Sequence, residues 1–319
     1  MIITVTLNAA VDKTLEVPSF TLGRRHRTVD QTTMPGGKGV NIARAIKRLG
    51  QPVIATGLAG GSTGTRIVEA LNDEAILNAF VRIREDSRTN TAVLDPTTGL
   101  HTEINERGPS ISAQELDLFR DKLLYLAKGA SICVFAGSLP RGIEPDVYAG
   151  LIHEVRRLGV TAIVDTDGEP LRLAVRAEPD LVSPNELEAE ELVGHEFNDV
   201  DDRAHAVAEM TRLGAGEAIM TVADGCFAQV LVEGAPACYR VRIEEQDARS
   251  TVGSGDAFLA GFVAARYTGR APVECLRFGV ACGAQSTQHF GAGILDPGRV
   301  DRLLGEVDAQ RLEMGAQIG

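Results

Sequence analysis

The chain has 319 residues, of which 44% are hydrophobic, and its formal net charge is −12 at pH 7. This length allows one large α/β domain or two ordinary ones, and the acidic charge argues against nucleic acid or an anionic membrane as a partner. The five cysteines lack metal-ligand spacing, the first residues lack a basic signal region, and no apolar run could span a bilayer. These features predict a cytoplasmic protein with reduced thiols.

Strand patterns and helix patterns alternate along most of the chain. Apolar strand patterns cover residues 2–7, 52–58, 131–136, 160–164 and 218–222. Helical patterns cover residues 40–49, 112–128, 145–158, 186–193, 201–213 and 257–265, with further helices within 273–288 and near 300–307. Strands that alternate with helices predict a mostly parallel sheet flanked by helices.

Two segments interrupt this alternation. One of them contains a predicted hairpin, with strands at residues 88–94 and 100–104 around a turn at 95–99. We expect about 10–34 and 82–107 to form a small β-sheet that covers the main sheet as a lid. No long linker or repeat divides the chain, so residues 1–319 are predicted to form a single domain. The open edges of such a lid favour pairing with another copy, which predicts a homodimer through the lid.

A glycine turn precedes the most apolar helix. Gly253, Ser254 and Gly255 stand before residues 257–265, which are apolar on nearly every face and predict a buried helix. A helix N-terminus with glycines can hold an anion. Asp256, in the first turn, is suited to take a proton from a hydroxyl while negative charge develops on a transferred group. The alternative is that Asp256 only complements the helix dipole.

A second glycine turn, at residues 36–39, opens the helix at 40–49. Lys38 lies between its glycines, and no Ser or Thr follows, so this is not a Walker loop. A lysine is unfavourable at a helix N-terminus, which predicts an anion held there; the alternative is an ordinary helix start with an exposed lysine. Asp12, after the first strand, is a candidate acceptor for a substrate hydroxyl or a turn residue. The basic residues Arg25 and Arg27 indicate either a solvated loop or a contact with a phosphate group.

Asn185 and Glu188 have the spacing of a capping box at the start of the helix at 186–193. The same pair of amide and carboxylate suits Mg²⁺, which takes few protein ligands and keeps several waters. The two interpretations are compatible.

Five motifs occur in an order that resembles the ribokinase-like carbohydrate kinases, the PfkB family. They are Thr6-Leu7-Asn8 with Asp12, the Gly36–Asn41 turn, Gly137–Pro140, Asn185–Glu188, and Thr251–Asp256. The resemblance covers nearly the whole chain and implies a ribokinase-like α/β fold. It also implies that Asp256 is the catalytic base, that the turn of Gly253, Ser254 and Gly255 stabilises the moving phosphoryl group, and that Asn185 and Glu188 order Mg²⁺ through water near ATP.

Within this family the chain resembles the phosphosugar branch. The resemblance implies ATP-dependent phosphorylation of a ketohexose phosphate, with fructose 1-phosphate as the first candidate and tagatose 6-phosphate and fructose 6-phosphate as alternatives. The implied sugar-phosphate residues are Asp12, Arg25, Arg27, Gly37, Lys38, Asn41, Arg88 and Ser138. The implied ATP residues are Asn185, Thr221, Asp224, Gly225, Gly253 and Gly255.

The turn implied for the nucleotide departs from the family pattern. Its first glycine is Ala223 here, and its last is missing or shifted to Gly225, which places the adenosine pocket in question. Three other functions stay open: a kinase of an unphosphorylated sugar or nucleoside, a non-catalytic sugar-phosphate sensor, and a nicotinamide-dependent dehydrogenase. The dehydrogenase is disfavoured because no glycine fingerprint follows the first strand.

Overall fold

The computed structural model of the protein describes residues 1–244, 246, 248 and 250–313. Residues 314–319, at the end of the predicted domain, lie outside the described residues. The strands are β1 Ile2–Thr6, β2 Ala10–Glu16, β3 Asp30–Gly36, β4 Val53–Gly60, β5 Leu77–Asn78, β6 Val81–Ile83, β7 Arg88–Leu94, β8 His101–Ile104, β9 Ile132–Ala136, β10 Thr161–Asp165, β11 Leu181–Val182, β12 Glu217–Val222, β13 Gly225–Val232, β14 Ala235–Arg242 and β15 Asp308–Leu312.

Most of the helices follow the predicted positions closely, whereas the helix at residues 168–176 was not predicted. They are α1 Lys38–Arg48, α2 Gly61–Asp73, α3 Ala113–Ala127, α4 Val147–Arg157, α5 Gly168–Arg176, α6 Glu186–Val193, α7 Val200–Arg212, α8 Ser254–Tyr267, α9 Pro272–Ser286 and α10 Pro297–Leu304. No helix in the described part of the chain is long and apolar enough to cross a bilayer.

A large sheet forms the centre of the molecule. Its path is β15-β14-β13-β12-β11-β10-β9-β1-β4-β5, with β6 also beside β4. The strands from β12 through β11, β10, β9 and β1 to β4 are parallel, and β13, β14 and β15 extend the sheet as an antiparallel edge. Buried apolar residues form one cluster on each face. The prediction of a mostly parallel sheet flanked by helices is confirmed.

A second sheet, with the order β3-β2-β7-β8, lies apart from the main one. All four strands come from the two segments that interrupt the helix–strand alternation. β2 pairs with β3 antiparallel and with β7 parallel, which sets Asp12 opposite both Met34 and Asn90. Residues 81–83 instead form β6 beside β4. The predicted small separate β-sheet is therefore present, and it places the polar side chains of β2 and β7 over the main sheet's edge.

Candidate active site

One cleft of about 680 Å³ lies at the carboxyl ends of the parallel strands, where the small sheet faces the N-termini of α1 and α8. Ligands in open parallel sheets bind at this edge, because the connecting loops and helix N-termini meet there. Its walls hold Asp12, Lys38, Asn41, Arg88, Asp165, Glu188 and Asp256.

The turn before α8 presents unpaired backbone donors to the cleft. Gly253 has φ 79°, a left-handed conformation, and a Cβ atom there would lie 2.4 Å from the Cβ of Ala292. The N–H groups of Ser254 and Ala257 donate to carbonyls of the turn. Within the described residues, those of Gly255 and Asp256 have no protein acceptor. Free N–H groups at a helix N-terminus form a site for negative charge.

Asp256 lies beside these donors and is nearly inaccessible, with 6% of its surface exposed. Its Oδ2 accepts a hydrogen bond of 2.8 Å from Nδ2 of Asn41. Burial raises the pKa of Asp256 to about 7, and the carboxylate of Asp165 adds to the rise, while Lys38 and the bond from Asn41 oppose it. A carboxylate with a pKa near neutrality is suited to general-base catalysis, because it is both ionised and basic enough to take a proton.

The start of α1 carries Lys38 between two carboxylates. Gly37 has φ 100°, and a Cβ there would lie 2.8 Å from Cγ2 of Thr6, so glycine lets the helix begin against β1. Nζ of Lys38 lies 2.6 Å from Oδ1 of Asp165 and 3.3 Å from Oε1 of Glu188. Burial disfavours the ammonium, but these carboxylates outweigh burial and raise the pKa of Lys38.

This arrangement corrects one inference from the sequence. The lysine at the N-terminus of α1 needs no bound anion to offset the helix dipole, because Asp165 and Glu188 supply the negative charge. Lys38 nevertheless faces the cleft, so its ammonium is also within the space that a ligand would occupy.

A second amide–carboxylate pair lies on the opposite wall. Nδ2 of Asn90 donates to Oδ1 of Asp12 at 2.8 Å, as their cross-strand register requires. Burial raises the pKa of Asp12, and the bond from Asn90 opposes the rise. The amide oxygens of Asn41 and Asn90 are buried without a hydrogen bond from any described residue. Two unpaired amide oxygens beside two carboxylates suit a ligand with several hydroxyl groups.

The predicted capping box at the start of α6 is present. Oδ1 of Asn185 accepts from the N–H of Glu188 at 2.9 Å, and Oε2 of Glu188 accepts from the N–H of Asn185 at 2.8 Å. Glu188 turns its other oxygen to Lys38, and burial raises the pKa of Glu188. No cluster of three metal-ligating side chains occurs among the residues that the structure describes. Because Oδ1 of Asn185 and both carboxylate oxygens of Glu188 already accept hydrogen bonds, the pair fits a water-coordinated Mg²⁺ better than one bound directly.

The cleft brings together most of the residues that the sequence singled out. Its lining includes Asp12, Gly37, Lys38, Asn41, Arg88, Asn185, Glu188, Thr221, Gly253, Ser254, Gly255 and Asp256. Five other candidates lie outside that lining, namely Arg25, Arg27, Ser138, Asp224 and Gly225.

The five outlying residues have identifiable surroundings. Arg25 and Arg27 are exposed on the loop between β2 and β3. Ser138 accepts a hydrogen bond of 3.2 Å from Nδ2 of Asn8. Asp224 and Gly225 belong to the tight turn between β12 and β13, where Asp224 pairs with Arg240. Asp224 is thus engaged within the protein, and Thr221, near the end of β12, lines the cleft.

Sequence reasoning missed several cleft residues, and three of them make contacts that shape the site. Asp165 ends β10, and only the sheet order brings it to Lys38, 127 positions away in sequence. Asn90 follows from the register of β2 with β7. Lys38, Asn41 and Arg44 follow one another at intervals of three positions on α1. Residues at this spacing share a helix face, so the sequence alone could have indicated Arg44.

Arg44 is 3% exposed and joins several parts of the site. It donates to both oxygens of Glu74 through Nε at 2.9 Å and to the carbonyl of Ala292 through Nη1 at 2.7 Å. Because Ala292 packs against Gly253, Arg44 fixes the loop that supports the anion turn.

Known proteins match the chain along nearly its whole length. Residues 5–298 match the family model described as pfkB family carbohydrate kinase. The chain is 33% identical over 313 residues to 1-phosphofructokinase of Bacillus subtilis (strain 168), covering 98% of this chain and 100% of that protein. It is 30% identical over 312 residues to tagatose-6-phosphate kinase of Staphylococcus epidermidis, covering 97% and 99%.

The fold is also similar to that of a solved kinase structure. Phosphofructokinase-2 from Escherichia coli, crystallised in complex with substrates and products, superposes with a TM-score of 0.89 at 29% identity. The match covers 95% of this chain and 98% of that one.

Proposed function

The chain belongs to the pfkB family carbohydrate kinases, as its motifs predicted, and we propose that it phosphorylates fructose 1-phosphate with ATP to give fructose 1,6-bisphosphate. One observation carries the proposal: a buried carboxylate with a pKa of about 7, Asp256, adjoins unpaired N–H groups at a helix N-terminus. Membership of a kinase family implies ATP as the phosphoryl donor. The names of the two similar relatives support a ketohexose phosphate as acceptor.

Asp256 acts as the base in this proposal. Its carboxylate takes the proton of the acceptor hydroxyl, the hydroxyl oxygen forms a bond to the γ-phosphorus, and the bond from that phosphorus to ADP breaks. Asn41 holds Oδ2 of Asp256, which leaves Oδ1 for the hydroxyl. The free N–H groups of Gly255 and Asp256 stabilise the negative charge on the transferred group.

The sugar phosphate binds between the two walls of the cleft. The carboxylate of Asp12 and the amide oxygen of Asn90 accept hydrogen bonds from sugar hydroxyls on the small-sheet side. Arg88 and Lys38 neutralise phosphate charge, which an acidic protein needs when it binds a dianion. Gly37 has no side chain, which leaves space for the sugar phosphate at the start of α1. These assignments rest on position in the cleft and on the charges of the side chains.

ATP occupies the other part of the cleft, near Thr221, Asn185 and the turn at Gly253 and Gly255. Asn185 and Glu188 would hold Mg²⁺ through water, with Glu188 providing the charge. When bound, Mg²⁺ neutralises the phosphate oxygens of ATP. Asp224 and Gly225, in the turn after β12, stay proposed ATP contacts, although Asp224 also pairs with Arg240.

We further propose that the chain is one domain whose small sheet is a lid and pairs with a second copy. Large apolar residues are exposed on this sheet and its loops, among them Leu22 at 87% and Leu100 at 69%. Arg25 and Arg27 are exposed on the loop that also carries Leu22, and they stay proposed phosphate contacts from the lid. Sedimentation of wild type and Leu22→Asp tests this: an unchanged dimer, or a monomeric wild type, contradicts it.

The substrate assignment is tested by the rate of ADP release. Fructose 1-phosphate, tagatose 6-phosphate, fructose 6-phosphate, ribose and adenosine are compared at matched concentrations. We expect fructose 1-phosphate to give the highest kcat/KM. A higher value with ribose or adenosine contradicts the phosphosugar assignment and leaves Asp256 as the base of a different kinase.

Glu188→Gln separates metal binding from capping. Glutamine also serves at this capping position, so we expect the melting temperature to change little while the Mg²⁺ concentration for half-maximal rate rises several-fold. Glu115→Gln is the matched control, because Glu115 forms the same capping box with Ser112 at the start of α3, outside the cleft. If Glu188→Gln changes thermal stability alone, the residue serves only as a cap.

A further inference from the structure

A second cavity, the outer cavity, lies beside the cleft. It has a volume of about 650 Å³ and is formed by the segments at 84–88 and 106–109 and by Arg141. This volume is within the range of small-molecule sites. Four arginines line it, namely Arg84, Arg88, Arg107 and Arg141. Three carboxylates, Glu85, Asp86 and Glu106, line it as well, so that among the described residues the arginines exceed the carboxylates by one, in a chain with a net charge of −12.

The carboxylates of the outer cavity are engaged by the fold. Oε2 of Glu85 accepts from the N–H of Ser110 at 2.7 Å and from Nη2 of Arg141 at 3.2 Å. Oε2 of Glu106 accepts from the N–H of Thr89 at 2.9 Å. Oδ2 of Asp86 accepts from the hydroxyl of Ser62 at 3.5 Å. These contacts hold the walls of the cavity in place, and one of them is an ion pair that neutralises Arg141 with Glu85.

The guanidinium of Arg107 is different, because it has no hydrogen bond or ion pair with any residue that the structure describes. Its own carbonyl accepts from Nδ2 of Asn8 at 3.2 Å, which fixes the backbone from which the side chain extends. Arg141 is also fixed, since its Nε donates to the carbonyl of Gly108 at 2.9 Å. A planar guanidinium with unused donors beside a second, anchored one is an arrangement that binds oxyanions through paired hydrogen bonds.

Arg88 lines both the outer cavity and the cleft. Its Nε donates to the carbonyl of Asn8 and its Nη1 to the carbonyl of Glu106, both at 3.1 Å. The side chain therefore forms part of the wall between the two spaces and is tied to both neighbouring segments. A charge bound on the outer side acts on the same guanidinium that the proposed sugar phosphate meets on the inner side.

We propose that the outer cavity is a second anion site, which binds a small phosphate-class oxyanion through Arg107, Arg84 and Arg141 and alters sugar-phosphate affinity through Arg88. The inference rests on the proposed function for the identity of the neighbouring substrate. An anion in the outer cavity partly neutralises the positive charge of Arg88. It therefore weakens the binding of the sugar phosphate in the cleft, although the two ligands occupy different spaces. Such coupling between two sites is reciprocal.

Titration calorimetry with inorganic phosphate tests the site directly, independently of any kinase activity. Lys38→Met removes a cation of the cleft, and Lys38→Met/Arg107→Ala removes in addition an unpaired cation of the outer cavity. We expect phosphate binding to persist in Lys38→Met and to weaken roughly tenfold or more in Lys38→Met/Arg107→Ala, the scale of a charged hydrogen bond. Arg66→Ala, which removes an exposed arginine of α2 outside both spaces, should bind like wild type. Binding that Lys38→Met abolishes, or that Lys38→Met/Arg107→Ala retains undiminished, overturns the proposal.

Steady-state kinetics test the coupling. We expect phosphate to raise the KM for the sugar phosphate to a finite plateau in wild type, and this effect to be lost in Arg107→Ala with the basal kcat and KM unchanged. A KM that rises without limit, together with a raised KM in Arg107→Ala in the absence of phosphate, would place the cavity within the substrate site and contradict a separate anion site. If no sugar phosphate is turned over at all, the proposed function fails, while the calorimetric result still decides the anion site.

Discussion

Asp256→Asn should lower kcat by at least ~10²-fold, the usual scale for removing a general base. Asparagine has nearly the same shape and can still accept the hydrogen bond from Asn41, so the change removes basicity more than packing. Asp256 is also the group whose pKa, about 7, is matched to proton transfer at neutral pH. The measurement is the initial rate of ADP release with saturating ATP and sugar phosphate.

Two controls separate catalysis from structure. Asp201, in the first turn of α7, is exposed and outside the cleft, so Asp201→Asn reports what an acidic residue contributes by complementing a helix dipole. We expect that variant to keep wild-type activity. Binding of sugar phosphate to Asp256→Asn, measured by calorimetry, should remain within a few-fold of wild type. Activity within a few-fold of wild type in Asp256→Asn would remove the residue from the role of base.

The same assignment has a consequence for the pH profile. The base must be ionised, so kcat/KM of wild type should rise with pH and level off above about 7, the pKa of Asp256 in the free protein. Below that pH the carboxyl is protonated and cannot accept the hydroxyl proton. Any residual activity of Asp256→Asn should lack this rise. An ascending limb at the same pH in both proteins would assign the titration to another group.

The glycine turns and helix starts of this protein could be predicted because their causes are local. The turns before α1 and α8 and the capping box of α6 depend on residues within a few positions of one another, and all three occur in the structure. The alternation of strands and helices similarly predicted the main sheet. The carboxyl ends of parallel strands then placed most of the candidates in one cleft.

Other features depend on contacts that no local pattern encodes. Asp165 reaches Lys38 only through the order of β1, β9 and β10 in the sheet, which the sequence alone does not give. The edge strand β15, whose residues are exposed or half-buried, lacks the apolar pattern that predicts a strand. The loop with Arg25 and Arg27 has no periodicity to fix its course. The sequence also showed Ala223 in place of a glycine, but not that the turn would engage Asp224 with Arg240.

Lys38→Met should reduce kcat/KM by roughly 10- to 150-fold, equivalent to about 1.5–3 kcal/mol for a charged hydrogen bond to phosphate. Nζ of Lys38 faces the cleft and is held 2.6 Å from Asp165, so the ammonium is already positioned when a phosphate group arrives. Its positive charge also lowers the pKa of Asp256. Losing that charge should therefore move the ascending limb of the pH profile to higher pH.

The substitution also leaves Asp165 as a buried carboxylate without its partner, and breaking such a pair is destabilising. The double variant Lys38→Met/Asp165→Asn removes both charges and separates the two effects. We expect it to recover most of the melting temperature lost in Lys38→Met and little of the lost kcat/KM, because a neutral pair packs well but offers phosphate no cation. Recovery of activity together with stability would mean that Lys38 acts only by neutralising Asp165. The positive charge for the sugar phosphate would then come from arginines, namely Arg88 with Arg25 and Arg27.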